Sequence, residues 1–302
     1  MTWLKPGASI GHAAALFAAL VLLPPSIARA QEGPSSTGAD LHDGGDPLTD
    51  PQYRSSLVKD VLAPWFDLKA KAADTYRAEF GLDYQALYQH ADNDFGDDEA
   101  SSGQFRVFGG WTPFKDEAGN SGGFTFKVEN RHAYTDVAPQ DLGFQAGALS
   151  ITGASFSDSD DWLLTDASWT QRFIDGRAVV RGGFVDLTDY VDVYGLINPR
   201  TAFSNLAFLT NPTIPAPDPG LGLAGSAMLA DNVYAIAGIA DANSDPTLSE
   251  NPFSSFFDTA EYFTHVEIGY TSAKERVFFD NIHLTAWHAD QRDDAGVDDD
   301  WG

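Results

Sequence analysis

The chain has 302 residues, and its 44 acidic residues against 18 Lys and Arg give a formal net charge of −26 at pH 7. Charge attraction to nucleic acid or to an anionic lipid surface is therefore excluded as a function, and the lack of cysteine excludes disulfide scaffolds and thiolate metal sites. The 21 Phe, 10 Tyr and 7 Trp, with 28 Gly and 16 Pro, favour strands and turns over helix bundles.

Residues 1–30 have the features of a secretory signal peptide. Lys5 supplies a positive charge, residues 13–23 form an uncharged apolar run, and Ala28 and Ala30 form an A-x-A cleavage pattern. The run is shorter than the ~20 apolar residues of a membrane-spanning helix. We therefore expect export from a bacterial cell, with cleavage after Ala30.

The next two segments differ in their content of apolar residues. Residues 31–53 are polar and rich in Gly, Pro, Ser and Asp, which predicts a disordered linker. Residues 54–78 form a helical segment, because apolar residues recur at helical spacing from Leu57 to Tyr76. We expect an amphipathic helix that packs on the main domain and that Pro64 kinks or divides. A coiled-coil partner helix is the alternative.

From residue 79 to residue 302 the hydrophobic period changes to two, which predicts β-strands. Each alternating run has about the 9–11 residues with which a strand crosses a bilayer at a tilt. We expect about ten strands, joined alternately by short turns and long polar loops, of which residues 189–220 form the longest. This arrangement is typical of an all-β, antiparallel transmembrane barrel, and the long loop is expected to fold inward.

One hairpin can be placed residue by residue, because Asp175-Gly176 is a strong two-residue turn signal. Folding about this turn predicts the strand pairs Phe173–Ala178, Gln171–Val180, Trp169–Gly182, Ala167–Phe184, Arg172–Val179, Thr170–Arg181 and Ser168–Val185. One face of the hairpin is then apolar and aromatic, whereas the other carries fixed charges.

Charged residues in the polar phase of the strands are the candidate functional residues. Those predicted to face inward are Arg106, Lys127, Glu129, Arg131, Asp166, Arg172, Arg181, Glu261 and Glu267. We interpret them as a pore lining in which guanidinium and carboxylate groups bind sugar hydroxyls. The alternative is ordinary lumen polarity without selectivity. Three aromatic residues could stack on sugar rings or simply pack against the wall and loops: Phe108, Trp162 and Trp287.

The sequence carries no nucleophile elbow, P-loop, dinucleotide fingerprint or HExxH motif. We therefore predict that the protein is not an enzyme and has no cofactor. His265 and His283 fall nearly opposite each other if a turn centres near Lys274. Because no third ligand has a fixed spacing, no metal site is predicted.

Four stretches resemble the carbohydrate-selective porin family of the OprB type. They are LLTDASWTQRFIDGRAVVRGGFVDLTDY (163–190), AFSNLAFLTNPTIPAPDPGLG (202–222), YAIAGIADAN (234–243) and HLTAWHADQRDDAG (283–296). The similarity is spread over most of residues 65–302 and includes no catalytic signature.

The resemblance implies a sixteen-stranded barrel in the bacterial outer membrane, with a sugar-diffusion pore narrowed by inward-folded loops. The chain ends at Trp301-Gly302, where a further strand should begin, so we expect a fragment holding the N-terminal two-thirds of the barrel. The implied partners are small carbohydrates, outer-membrane lipid, lipopolysaccharide and the barrel assembly machinery, but no nucleic acid. The resemblance leaves open whether the chain forms a homo-oligomer. A secreted β-sandwich that binds or hydrolyses polysaccharide is the alternative function.

Overall fold

The computed structural model shows one large antiparallel sheet with short helices. It describes residues 33, 35–43, 56–92, 96–159, 161–249, 251–272, 280–292 and 300–302. The main helices are α1 (Thr37–Asp43), α2 (Ser56–Tyr76) and α3 (Pro139–Gln145). The strands are β1 (Ala78–His90), β2 (Glu99–Lys115), β3 (Ser121–Ala133), β4 (Trp162–Phe173), β5 (Ala178–Val185), β6 (Gly220–Met228), β7 (Val233–Asp241), β8 (Tyr262–Thr271), β9 (Asn281–Ala289) and β10 (Asp300–Trp301).

Every described strand pairs with its neighbours in sequence, so the ten strands form a single meander in the order β1 to β10. The prediction of an antiparallel all-β fold with about ten strands is thereby confirmed. A sandwich would need two packed sheets, and the described strands form one. None of the described helices is both long and apolar enough to cross a membrane. The predicted signal peptide and the predicted turn at Lys274 lie outside the described residues.

The two faces of the sheet are reversed relative to those of a soluble protein. The inner face carries charged side chains that are nevertheless buried, such as Arg106 at 4% exposure and Lys127 at 5%. The outer face carries large apolar side chains that are exposed, such as Ile282 at 80% and Leu284 at 72%. Soluble monomers rarely expose apolar surface so continuously, whereas lipid-facing strands require it.

The hairpin between β4 and β5 has the predicted register with one correction. Phe173 pairs with Ala178 and Thr170 with Arg181, as the turn signal indicated. Ser168, however, pairs with Gly183 and not with Val185. A strand pair keeps a constant sum of residue numbers on both of its faces, so the pairing with Val185 was inconsistent with the rest of the register.

The β5–β6 loop, residues 186–219, crosses the inner face of the sheet. Asp192 contacts His283 on β9, and Arg200 contacts Asp83 on β1. In a flat sheet β1 and β9 would be about 38 Å apart, at about 4.8 Å per strand. The segment from Asp192 to Arg200 spans at most about 28 Å when fully extended, and it contains turns. The sheet therefore curves around this loop.

The N-terminal segment differs from the prediction of a disordered linker. Residues 37–43 form α1, which lies on the inner face of β1–β3. Ser36 and Thr37 are fully buried, and Leu41 packs over Gly110 of β2. The segment contributes few apolar side chains, so the composition gave no signal of order; an ion pair from Asp40 to the sheet holds it instead.

Helix α2 forms where the apolar spacing predicted it. Trp65 packs edge-on against Phe80 of β1, with ring centroids 5.2 Å apart. The helix continues through Pro64 and is not divided, because the loss of one backbone hydrogen bond does not end a helix whose bonds persist on both sides. Part of the predicted stripe stays exposed, including Val61 and Leu68.

Two adjacent glycines on β5 differ in how much space the neighbouring strands leave for a side chain. Gly183 has a φ of +135°, and a Cβ there would lie 2.5 Å from the carbonyl oxygen of Ala167. At Gly182 the nearest atom is Cδ1 of Leu223, at 3.0 Å, on a side chain that can rotate. We expect Gly183→Ala to lower the free energy of unfolding by about 1–3 kcal/mol and Gly182→Ala to cost clearly less. Urea unfolding of the two variants in detergent measures the difference, and equal costs would contradict it.

Candidate functional site

Arg106 on β2 is the centre of an ion-pair cluster on the inner face. Its guanidinium donates two hydrogen bonds to Asp40 of α1, at 2.8 and 3.1 Å, and two to Asp83 of β1, at 2.8 and 3.1 Å. Lys127 on β3 approaches Asp40 at 4.0 Å. The planar guanidinium thus binds two carboxylates in bidentate fashion, a geometry that arginine offers and lysine does not.

A second chain of polar contacts joins the loop to β2 and β3. Arg200 of the β5–β6 loop pairs with Asp83 at 3.0 Å and donates to Oε1 of Gln104 at 2.9 Å. The amide of Gln104 donates to Oε2 of Glu129 at 2.9 Å, and Arg131 pairs with the same oxygen at 2.7 Å. The loop is therefore bound to the wall through charge-assisted hydrogen bonds.

A cavity of about 120 Å³ lies between the loop and these strands. Its polar lining includes Gln104, Arg106, Lys127, Glu129, Arg131, Asp186, Asp189, Asn198 and Arg200. A water molecule needs about 10–15 Å³ of such space, so the cavity has room for several waters or for a small polar solute. Guanidinium donors and carboxylate acceptors can both bind hydroxyl groups there.

Asp189, in a short turn at the start of the loop, lines the same cavity. Ser35 donates to its carboxylate at 3.0 Å, and the N–H of Gly33 donates to its carbonyl oxygen at 3.1 Å. Burial raises the pKa of Asp189 to about 7, although the charge of Lys127 opposes that rise.

The remaining predicted residues lie elsewhere on the inner face. Asp166 and Arg181 pair with each other at 3.0 Å beside Ser168, which hydrogen-bonds to both. Glu267 is buried on β8 at the opposite side of the sheet. Arg172 is the penultimate residue of β4 and Glu261 immediately precedes β8, and neither residue lines the cavity.

The three aromatic side chains that were candidates for stacking on sugar rings lie in three different parts of the structure. Trp162 is exposed on the outer face and packs edge-on against Phe105. Trp287 is buried beneath the loop, where it stacks on Phe263 with ring centroids 6.1 Å apart. Phe108 lies beneath the guanidinium of Arg106, 5.2 Å from ring centroid to Cζ. Their positions correspond to wall and loop packing.

Sequence reasoning missed several residues of the cluster. Asp83 and Gln104 stand in the polar phase of β1 and β2, so the alternation did indicate their inward direction. Asp40 and Arg200 have no periodic signal, because they belong to a segment and a loop without repeating pattern. Only the folded chain brings those two side chains to Arg106 and Asp83.

Comparisons with known proteins agree with this architecture. The structure described as "High pH structure of Pseudomonas putida OprB" is similar to the chain with a TM-score of 0.57 and 15% sequence identity, over 74% of this chain. The alignment covers 55% of that protein, so this chain spans about half of its length. No curated protein sequence is significantly similar to the chain.

The family comparison covers most of the sheet. The model described as "Carbohydrate-selective porin, OprB family" matches residues 77–299, from the residue before β1 to the residue before β10. The match includes the strands that carry the inner-face cluster and the loop that crosses it. The chain belongs to the OprB family of carbohydrate-selective porins.

Proposed function

We propose that the protein is a β-barrel of the bacterial outer membrane through which small carbohydrates diffuse passively, with no chemical step and no cofactor. The observation that carries this proposal is the reversed sheet, with apolar side chains exposed outside and charges buried inside. Membership of a porin family agrees with it. In that membrane its partners would be lipid, lipopolysaccharide and the barrel assembly machinery.

Selectivity in this proposal comes from the cavity beneath the β5–β6 loop. Arginine side chains supply several hydrogen-bond donors in a fixed plane, and carboxylates supply acceptors, so together they bind the vicinal hydroxyls of a sugar ring. Arg131 and Arg200 line the cavity with guanidinium groups that remain partly exposed, at 20% and 10% of the side chain. We therefore assign sugar contact first to these two residues.

The outer face offers a test of the membrane location. Leu284 is exposed at the middle of β9, whereas Leu149 is fully exposed in the segment between α3 and β4. Arginine at a lipid-facing midplane position costs about 2–4 kcal/mol. We expect Leu284→Arg to lower the free energy of unfolding in lipid vesicles by that amount and Leu149→Arg to have little effect. If both variants unfold like the parent protein, the outer face does not contact lipid.

The cavity residues can be tested by sugar binding in single channels. We expect Arg131→Gln and Arg200→Gln each to raise the monosaccharide concentration that halves the ion current by roughly two- to tenfold, the effect of one lost hydrogen bond. Lys71→Gln on the exposed surface of α2 removes the same charge away from the cavity and should leave this concentration unchanged. Unaltered sugar binding in both arginine variants would show that the assignment is wrong.

Helix α1 occupies part of the charged face and limits access to Arg106. The hydrogen bonds of Asp40 are charge-assisted and worth about 1.5–3 kcal/mol, so we expect Asp40→Asn to loosen this segment. Protease cleavage within residues 33–43 should then accelerate roughly tenfold or more, because cleavage follows the population of the open form. Asp141→Asn, at an exposed position on α3, is the control. Equal cleavage of both variants would mean that Asp40 does not hold α1.

A further inference from the structure

Asp192, Glu267 and His283 meet where the β5–β6 loop contacts the far side of the sheet. Nε2 of His283 lies 2.8 Å from Oδ1 of Asp192, and the ligand atoms of all three residues lie within 4.8 Å of one another. The residues come from the loop, from β8 and from β9, so only the folded chain assembles them. They line none of the cavity beside the Arg106 cluster.

The histidine pairing expected from the sequence is not the one observed. His283 pairs with Gly269, and His265 pairs with Trp287. His265 is buried beside the ring of Tyr190, at 5.9 Å between centroids. His283 instead contacts Asp192, which belongs to a loop whose path the sequence did not reveal, and its ligand atom lies within 4.8 Å of that of Glu267.

The buried carboxylate of Glu267 is held in one orientation by its neighbours. Its Oε1 accepts a hydrogen bond from the hydroxyl of Tyr234 at 2.9 Å. Its Oε2 accepts from the hydroxyl of Thr285 at 2.9 Å and from the N–H of Asp192 at 3.0 Å. Hydrogen bonds of this kind fix the ligands of metal sites and reduce the reorganisation that binding requires.

Both ring nitrogens of His283 face oxygen atoms that accept hydrogen bonds. Nδ1 lies 3.0 Å from the amide oxygen of Asn281, which can only accept, so Nδ1 carries the proton. Nε2 lies 2.8 Å from the carboxylate oxygen of Asp192, so without a metal this nitrogen also carries a proton and donates it to Asp192. A metal ion would take the place of the Nε2 proton and contact both atoms, with release of that proton. Donation from the other ring nitrogen to an oxygen is the usual state of a metal-ligating histidine.

Negative charge exceeds positive charge around Asp192 and Glu267. Two carboxylates share one imidazole, and among the described residues no Lys or Arg forms an ion pair with Asp192 or Glu267. A buried carboxylate without a countercharge is costly. A divalent cation would offset both negative charges at once.

We propose that Asp192, Glu267 and His283 bind Zn²⁺ and that the ion clamps the β5–β6 loop to strands β8 and β9. One imidazole nitrogen and two carboxylate oxygens are ligands that Zn²⁺ accepts at about 2.0–2.2 Å, with water in the fourth position. Ca²⁺ and Mg²⁺ prefer sites made of oxygen alone, so the imidazole selects against them.

The test is a titration of the purified full-length protein in detergent, first treated with a chelator and then dialysed. Calorimetry with ZnCl₂ should give one saturable site per chain, whereas CaCl₂ should give none. His283→Ala and Asp192→Asn should each weaken Zn²⁺ binding by roughly tenfold or more. His132→Ala is the matched control, because His132 lies on β3 between Tyr84 and Tyr134 and outside the site. This variant should bind Zn²⁺ like the parent protein.

Two outcomes overturn the proposal: no saturable Zn²⁺ binding, or the same loss in the His132 variant as in the His283 variant. Folding of each variant is checked by its mobility on unheated gels. If His283→Ala does not fold, Asp192→Asn in the loop decides the question. The titration requires no sugar transport, so its failure would leave the porin function untouched, and failure of sugar transport would leave the metal site untouched.

Discussion

Charged side chains on the inner face of the sheet determine how the rest of the chain is arranged. Arg106 and Lys127 are buried there, and a buried charge is tolerated only beside an opposite charge or several hydrogen-bond partners. Neighbouring strands supply part of this compensation, for example Asp83 to Arg106. The remainder comes from α1, through Asp40, whereas Arg200 of the β5–β6 loop in turn pairs with Asp83. Ion pairs with these charges thus hold α1 and the β5–β6 loop against the inner face of the sheet.

The β5–β6 loop performs two physical tasks at once. Arg200 binds it to the first strands, and Asp192 binds it to β8 and β9, so the loop holds the curved sheet at both sides. Its apolar residues Leu187 and Val191 pack against Phe263 and other side chains of the wall. Because the loop is fixed at two points, the cavity beneath it has a defined lining. A passive pore needs such a lining if it is to distinguish among small polar solutes.

The two proposed sites involve different residues of the β5–β6 loop. At the Arg200 end, guanidinium and carboxylate groups surround a cavity that suits sugar hydroxyls. At the Asp192 end, two carboxylates and an imidazole form the proposed Zn²⁺ site. A metal clamp at the second end would limit the motion of the first, since only a short segment connects them. The chemistry of the two ends differs, so sugar and metal do not compete for the same ligands.

The sequence alone determined the antiparallel strands, the β4–β5 pairing about Asp175-Gly176 and the separation of apolar from charged faces, because alternation with period two and turn chemistry are local properties. It also carried the family resemblance and placed Arg106 and Glu129 on the inner face. Only the tertiary structure decided that Asp40 and Arg200 meet the charges of β1 and β2, or that a carboxylate from the loop reaches His283. Those contacts join residues that are far apart in sequence and lie in segments without periodicity. Which residues meet is therefore decided only when these segments fold onto the buried charges of the sheet.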